Sequence, residues 1–138
     1  TSNTGKKEEA ELKKFVDKKQ DSIKAMENEL EKMKNELLKQ GSVMNTSVRK
    51  EKETSFQRKQ RDYQLLVEDS QRELQVRQQE MAQRMIPDIM KVVRNIAEKG
   101  KYTLILEIKV IPFSYFDKDA DITKQVIDEY NKAQNIKN

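Results

Sequence analysis

Acidic side chains near the C-terminus have the spacing that most resembles a chemical site. Asp117, Asp119 and Asp121 alternate with other residues, and a further acid follows at Asp128. This arrangement resembles the start and end of a calcium-binding EF-hand loop. Such a loop needs glycine at its sixth position and prefers glutamate at its twelfth, whereas this sequence has Ile122 and an aspartate there. We therefore interpret the segment as an acidic turn with a helix cap, and we predict no metal site.

The sequence lacks the residue types on which most enzymatic catalysis depends. It contains no histidine and no cysteine, and it has neither a glycine-rich phosphate loop nor a serine in the setting of a nucleophile. We predict that the protein is not an enzyme, and that it takes no cofactor and no small-molecule substrate.

A basic stretch in the middle of the chain is the second candidate site. Between residues 32 and 61, nine basic residues stand against three acidic ones, which is a net charge of +6, whereas the whole chain carries +4. Charge runs are often solvated helix surface, but this one also suits acidic polypeptides, anionic lipid or lipopolysaccharide. Nucleic acid is disfavoured, because no aromatic stacking platform accompanies the charge. The candidate contact residues are Lys32, Lys34, Lys39, Arg49, Lys50, Lys52, Arg58, Lys59 and Arg61.

Two heptad patterns predict the helices that carry this charge. Apolar residues recur at steps of three and four over 12–37, and again over 56–81. The polar residues Lys19, Ser70 and Arg77 interrupt the pattern. A turn is predicted over 41–47, because Gly41 suits a helix C-terminus. So short a turn makes the helices antiparallel neighbours. The residues able to cap the second helix are Asn45, Thr46 and Ser47.

The chain changes character after Pro87, which predicts an end, a kink or a new start of a helix. A broad apolar face follows, and Gly100 is placed to close that helix. Strict alternation of side chains predicts a β-strand over 102–111, and 113–116 is suited to a second short strand. Asp121 is placed to cap a last helix.

The compact part of about fifty residues is too small to be stable alone, so we expect oligomerisation. Its predicted core and oligomerisation residues are Ile89, Val93, Ile96, Tyr102, Leu104, Leu106, Ile108, Val110, Ile122 and Val126. The predicted fold class is α+β, with a long antiparallel coiled-coil hairpin over residues 6–86 projecting from a small β-sheet body over residues 87–133.

Short motifs along the chain resemble the Skp (OmpH-like) family of periplasmic chaperones. Each motif is modest, and their ordered succession over nearly the whole chain carries the resemblance. The motifs are Gly5-Lys6-Lys7, Gly41-Ser42, Ile86-Pro87, Lys99-Gly100-Lys101-Tyr102, Asp119-Ala120-Asp121-Ile122-Thr123, Val126-Ile127 and Tyr130-Asn131.

The resemblance implies a homotrimer joined through a β-sheet body, with helical arms around a cavity. It implies an ATP-independent holdase of the periplasm that binds unfolded outer-membrane proteins there and prevents their aggregation. Members of the family begin with a β-strand ahead of the Gly-Lys-Lys motif. That strand and a signal peptide are absent before Thr1, so we expect an incomplete body sheet in this chain alone.

Two other functions remain open from the residues themselves. A structural coiled-coil adaptor or tether would also use a long charged hairpin. A nucleic-acid-binding protein would use the basic hairpin tip, although the charge lacks the aromatic residues that usually accompany it.

Overall fold

Three α-helices make up most of the chain. The computed structural model describes residues 1–40 and 42–135. The helices are α1 (Asn3–Gln40), α2 (Thr46–Gly100) and α3 (Thr123–Asn135), and a short 3-10 turn (Lys118–Ala120) precedes α3.

The described residues form two compact units. We call Glu11–Gln78 the arm, and we call Thr1–Ala10 together with the described chain from Gln79 onward the body. The predicted domain boundary between residues 86 and 87 stays a prediction, because α2 runs past it without an end.

The first helix begins at Asn3, slightly before the residue 6 expected from the sequence. The side chain of Ser2 explains this start, because its hydroxyl oxygen accepts a hydrogen bond from the Gly5 N–H at 3.0 Å. The Ser2 carbonyl also accepts from the Lys6 N–H at 2.9 Å. Serine at this position satisfies an N–H group that the helix itself leaves without a partner.

A tight turn joins α1 to α2. The N–H groups of Val43 and Met44 both donate to the carbonyl of Gln40, at 3.1 Å each. Of the three predicted caps, Asn45 is the one used, since its side-chain oxygen accepts from the Val48 N–H at 2.9 Å. The predicted role of Gly41 lies outside the described residues.

Contacts across the arm confirm that its two helices are antiparallel. Lys52 Nζ lies 2.8 Å from Glu36 Oε2 near the turn. Farther from the turn, Lys19 Nζ lies 3.0 Å from Glu73 Oε2. As the α1 partner moves toward its N-terminus, the α2 partner moves toward its C-terminus, which is the pairing of an antiparallel hairpin.

The seam of the arm is thin. Among the described residues of the arm, Ser70 is the one buried side chain, and the apolar seam residues are half-buried or exposed. The Ser70 hydroxyl donates to the Leu66 carbonyl at 2.5 Å, one turn earlier in the same helix. This bond gives the buried hydroxyl a hydrogen-bond partner, and burial of the hydroxyl without one would destabilise the folded state.

Helix α2 continues through Pro87. Proline has no N–H, so the carbonyl of Gln83 loses its usual partner four residues later. The residues that follow carry the core of the body: Val92 and Ile96 of α2 are buried against Tyr130 of α3.

Some predicted core residues occupy this core and others do not. Ile96 is buried, Ile89, Ile122 and Val126 pack around the buried residues, and Val93 is half-buried. The core also includes Val92 and Tyr130, which the sequence-based set omitted. Exposed instead are Tyr102, Leu104, Leu106, Ile108 and Val110.

The β-strand predicted over 102–111 is not formed in the single chain. This segment has no regular structure apart from a turn, in which the N–H groups of Val110 and Ile111 donate to the Glu107 carbonyl. The shorter strand predicted over 113–116 is also not formed. A strand needs a neighbour that pairs with its backbone N–H and C=O groups. The described residues of this one chain provide no such neighbour.

The end of α2 has an unusual backbone. Lys101 has a positive φ of 51°, in the left-handed region that glycine usually occupies. The Tyr102 N–H donates to the Ala97 carbonyl at 3.0 Å, and the Lys101 N–H donates to the Glu98 carbonyl at 3.3 Å. This is the Schellman pattern. The glycine, Gly100, lies one residue earlier, where a Cβ atom would lie 2.4 Å from the Tyr102 ring.

We therefore expect Lys101→Gly to stabilise the body. Glycine adopts a positive φ without the backbone strain that lysine has there, but it also gives the unfolded chain more conformational freedom. The loss of strain is the larger effect, so we expect a net increase of about 0.5 to 1 kcal/mol in the free energy of unfolding. Chemical denaturation followed by circular dichroism measures this change. The matched control is Lys99→Gly, in the last turn of α2, which we expect to be destabilising, by up to about 1 kcal/mol, the cost of glycine in a helix interior. Equal effects of the two variants on the free energy of unfolding would contradict the interpretation of Lys101 as a strained left-handed residue.

Candidate interaction surface

The structure divides the nine predicted contact residues into two groups. Arg49, Lys52 and Lys59 form ion pairs, with Glu53, Glu36 and Glu29 respectively. The remaining six form no ion pair with any described residue. These unpaired cations are Lys32, Lys34, Lys39, Lys50, Arg58 and Arg61.

Two of these ion pairs lie on one edge of the arm. Lys52 and Lys59 are seven residues apart on α2, and Glu36 and Glu29 are seven residues apart on α1. Two heptad-spaced residues lie on nearly the same face of a coiled-coil helix. We call these four residues the ion-pair edge.

A polar cluster occupies the seam where the heptad pattern is interrupted. Lys19 Nζ lies 3.0 Å from Glu73 Oε2, and Arg77 Nη2 lies 2.9 Å from Glu73 Oε1. Both cations also lie over the ring of Phe15, with Arg77 Cζ 4.3 Å and Lys19 Nζ 5.3 Å from the ring centroid. Lys19 and Arg77, two of the three polar interruptions, therefore have partners across or along the seam, and the cluster favours a single register of the two helices.

Hydrogen bonds from these cations lower the pKa values of the glutamates on the arm. The Lys59 ammonium lowers the pKa of Glu29, and the Lys52 ammonium lowers the pKa of Glu36. Arg77 and then Lys19 lower the pKa of Glu73 by hydrogen bonding. In each case the cation favours the charged carboxylate over the neutral acid.

A shallow groove of about 360 Å³ lies on the arm between α1 and α2. Its apolar residues are Leu30, Phe56 and Tyr63, all half-buried. We call it the side groove. Its polar lining residues are Glu31, Lys34, Gln60 and Gln64. The sequence pattern placed its apolar residues in the seam, and only the structure shows that they are partly open to solvent.

A hydrogen bond across the arm involves the tyrosine of this groove. The Tyr63 hydroxyl donates to Glu27 Oε1 at 2.5 Å. This bond to a carboxylate raises the pKa of Tyr63, because it stabilises the protonated phenol. Sequence reasoning missed the contact, since the two residues are 36 positions apart.

Apolar side chains are exposed close to the turn. Val43 is 82% exposed and Leu38 is 72% exposed. Met44, the next residue of the turn, is half-buried. The unpaired cations Lys39 and Lys50 are close to these residues in the sequence. This end of the arm therefore combines positive charge with exposed apolar surface.

Two aspartates of the acidic segment near the C-terminus cap the 3-10 turn and the start of α3. Asp117 Oδ1 accepts from the Asp119 N–H at 3.1 Å, and Asp121 Oδ1 accepts from the Thr123 N–H at 2.9 Å. The bonds from Thr123 lower the pKa of Asp121. Within residues 1–40 and 42–135, no group of three His, Cys, Asp or Glu side chains is arranged to hold a metal ion.

The ion-pair edge predicts a pH dependence for the stability of the hairpin. A carboxylate whose pKa is lowered by folding stabilises the folded state above the ordinary glutamate value of 4.5, and this stabilisation is lost as the pH falls through the lowered pKa. We expect Glu29→Gln/Glu36→Gln to have a lower melting temperature than the unmodified protein at pH 7. This difference in melting temperature should shrink as the pH falls below 4.5, as measured by circular dichroism at 222 nm during thermal unfolding.

The matched control for this measurement is Glu31→Gln/Glu51→Gln. Neither carboxylate forms an ion pair with the described residues, so the melting temperature of this variant should differ less from that of the unmodified protein at pH 7. Identical melting curves for the two double variants, both at pH 7 and below pH 4.5, would exclude a stabilising role for the ion-pair edge.

None of the helices in the described part of the chain has the length and apolar character needed to cross a membrane.

Comparison with known proteins assigns the chain to a family. Residues 1–130 match the family described as "Outer membrane protein (OmpH-like)". The chain is also similar to a Skp-like protein of Pseudomonas aeruginosa, with 25% identity over 116 residues. That similarity covers 81% of this chain and 66% of the relative, so the chain spans about two thirds of the relative's length. Because the family match extends over nearly the whole sequence, this protein belongs to the OmpH-like family, a chaperone family.

Proposed function

We propose that this protein is an ATP-independent holdase of the periplasm. It binds unfolded outer-membrane proteins in a cavity between the arms of a homotrimer and prevents their aggregation. Membership of the OmpH-like family and similarity to a Skp-like protein support this function. Neither ATP nor a small-molecule substrate takes part.

The observation that carries the proposal is the free surface of the arm. Helix α1 has no buried residue, and in the described arm only Ser70 is buried. A hairpin that buries so little of itself leaves most of both helices available to another polypeptide. Its thin seam also costs little to bend, which suits an arm that must fit clients of different sizes.

Exposed apolar side chains of the body support the trimer. Large hydrophobic residues are exposed along the whole segment 102–116, and the alternating part of this segment has the composition of a strand. Pairing with strands from other chains would satisfy its backbone and cover its apolar face. The residues exposed there are Tyr102, Leu104, Leu106, Ile108, Val110, Ile111, Phe113, Tyr115 and Phe116.

The end of the arm near the turn is suited to anionic partners. Leu38 and Val43 are exposed apolar residues, and Lys39 and Lys50 are cations without ion pairs to described residues. Apolar contact combined with positive charge is the combination that binds anionic lipid surfaces. Anionic lipid and lipopolysaccharide are therefore proposed as further partners, beside acidic segments of clients.

The homotrimer predicts that replacing exposed residues of the body lowers the mass of the assembly. Leu104 is 68% exposed and Val110 is 70% exposed in the single chain, so their loss should matter only if other chains cover them. We expect Leu104→Ser/Val110→Ser to shift the full-length protein from trimer toward monomer. Light scattering coupled to size exclusion measures the mass.

The control for the trimer experiment is Leu65→Ser/Val76→Ser on the arm. These residues are 50% and 46% exposed, and we expect the mass to remain that of a trimer. A monomer or dimer of the unmodified full-length protein would instead favour the coiled-coil adaptor.

Holdase activity predicts that the trimer keeps a client soluble. An outer-membrane β-barrel protein unfolded in urea aggregates on dilution, and the increase in light scattering measures this. We expect one trimer per client to suppress most of the scattering without ATP. Scattering equal to that with a matched amount of serum albumin would refute the function.

A salt series separates the holdase from the nucleic-acid binder. We expect binding of the unfolded β-barrel protein to exceed binding of double-stranded DNA at every salt concentration. Stronger binding of DNA, with an affinity that falls steeply with salt, would favour phosphate recognition by the basic residues.

A further inference from the structure

The two sides of the arm differ in chemistry. On the ion-pair edge, Lys52 and Lys59 are already bonded to carboxylates of the opposite helix. In the side groove, the side chains of Lys34, Gln60 and Gln64 form no hydrogen bond or ion pair with any described residue. The polar groups of the ion-pair edge are therefore satisfied within the chain. In the side groove the Tyr63 hydroxyl is bonded to Glu27, while the side chains of Lys34, Gln60 and Gln64 are available for a partner.

We infer that the side groove is the surface of the arm that contacts the client. It takes an extended segment of unfolded polypeptide with apolar and acidic side chains. This inference rests on the proposed holdase function and deepens it, because it selects one side of the arm.

The apolar lining of the side groove suits the side chains of an extended polypeptide. Leu30, Phe56 and Tyr63 are half-buried, so each retains apolar surface that a client can cover. Leu38 lies eight residues after Leu30 and four after Lys34, which places all three on neighbouring positions of one helix face. The apolar stripe therefore continues from the side groove toward the turn.

The polar rim of the groove suits a backbone of any sequence. The side-chain amides of Gln60 and Gln64 each carry donors and an acceptor. They lie four residues apart on α2, one turn of helix. An extended client exposes unpaired N–H and C=O groups. Amides recognise these groups without selecting side chains, as a chaperone of many clients requires.

Charge complementarity identifies acidic segments as the preferred occupants. Lys34 lines the groove without an ion pair to any described residue, and Glu31 is the one carboxylate in the lining. The stretch from residue 32 to residue 61 carries a net charge of +6, and six of its cations are unpaired. Glu27 adds a carboxylate beside the groove, where it accepts from the Tyr63 hydroxyl. The attraction of negative charge therefore comes from the net charge of the surrounding stretch, with Lys34 as the unpaired cation of the lining.

A charge reversal at Lys34 tests the inference, with Lys32→Glu as its matched control. Lys32 is two residues away on the same helix, forms no ion pair with a described residue, and lies on a different face. Its charge also acts on Glu29 of the ion-pair edge, so the melting temperatures of both variants are compared as well. Both variants change the net charge of the protein equally, so long-range attraction is weakened alike. We expect Lys34→Glu to weaken binding of an acidic unfolded β-barrel protein about two- to fivefold more than Lys32→Glu does. Circular dichroism checks that both variants remain helical.

Cross-linking provides a second measurement that does not depend on charge. The sequence contains no cysteine, so a single introduced cysteine carries a photo-reactive label at one site. We compare Gln60→Cys in the side groove with Ser55→Cys, which lies three residues after Lys52 and four before Lys59. Its spacing places Ser55 on the ion-pair edge. We expect several times more cross-linked client from residue 60.

The outcomes separate this inference from the proposed function. Equal cross-linking from residues 55 and 60, or equal weakening by the two charge reversals, would overturn the side groove as the contact surface while the holdase function stands. If the unmodified trimer fails to keep the client soluble, the holdase function fails and the inference fails with it.

Discussion

A hairpin of two helices has a single seam, and this geometric constraint determines most properties of the arm. Each apolar residue of the seam meets one opposite helix and is open to solvent on its flanks, so half-burial is the usual result. Leu30 and Phe56 show this directly, since both line the seam and also line an open groove. The hydrophobic contribution per residue is correspondingly smaller than in a bundle.

Polar contacts therefore matter more for the register of the arm than for its total stability. An exposed ion pair contributes little free energy, but Lys19, Glu73 and Arg77 together form a cluster that a shifted register would break. The Tyr63 hydroxyl and Glu27 add another contact of this kind. Because each helix of the arm covers only one face of the other, most of the arm's surface is left uncovered. The proposed holdase needs such a surface to bind clients.

A different constraint applies to the body, because the backbone N–H and C=O groups of an extended segment need hydrogen-bond partners on a neighbouring strand. Its core is small, with Val92, Ile96 and Tyr130 as the buried residues of the described body. The segment 102–111 alternates as a strand does, yet it has no regular partner in the single chain. Its apolar residues are exposed for the same reason, and this is the physical basis for proposing that other copies complete the body.

The sequence by itself determined the helices of the arm, because heptad spacing and a short turn allow few other arrangements. It also identified Asn45 and Asp121 as capping candidates, since capping is local chemistry within a few residues. The tertiary structure decided which cations are paired, because Lys52 and Glu36 are brought together only when the helices pack in one register. It also decided that the segment 102–111 stays unpaired in one chain and that the groove beside Tyr63 stays open. Both depend on contacts between residues far apart in the sequence, which periodicity alone does not specify.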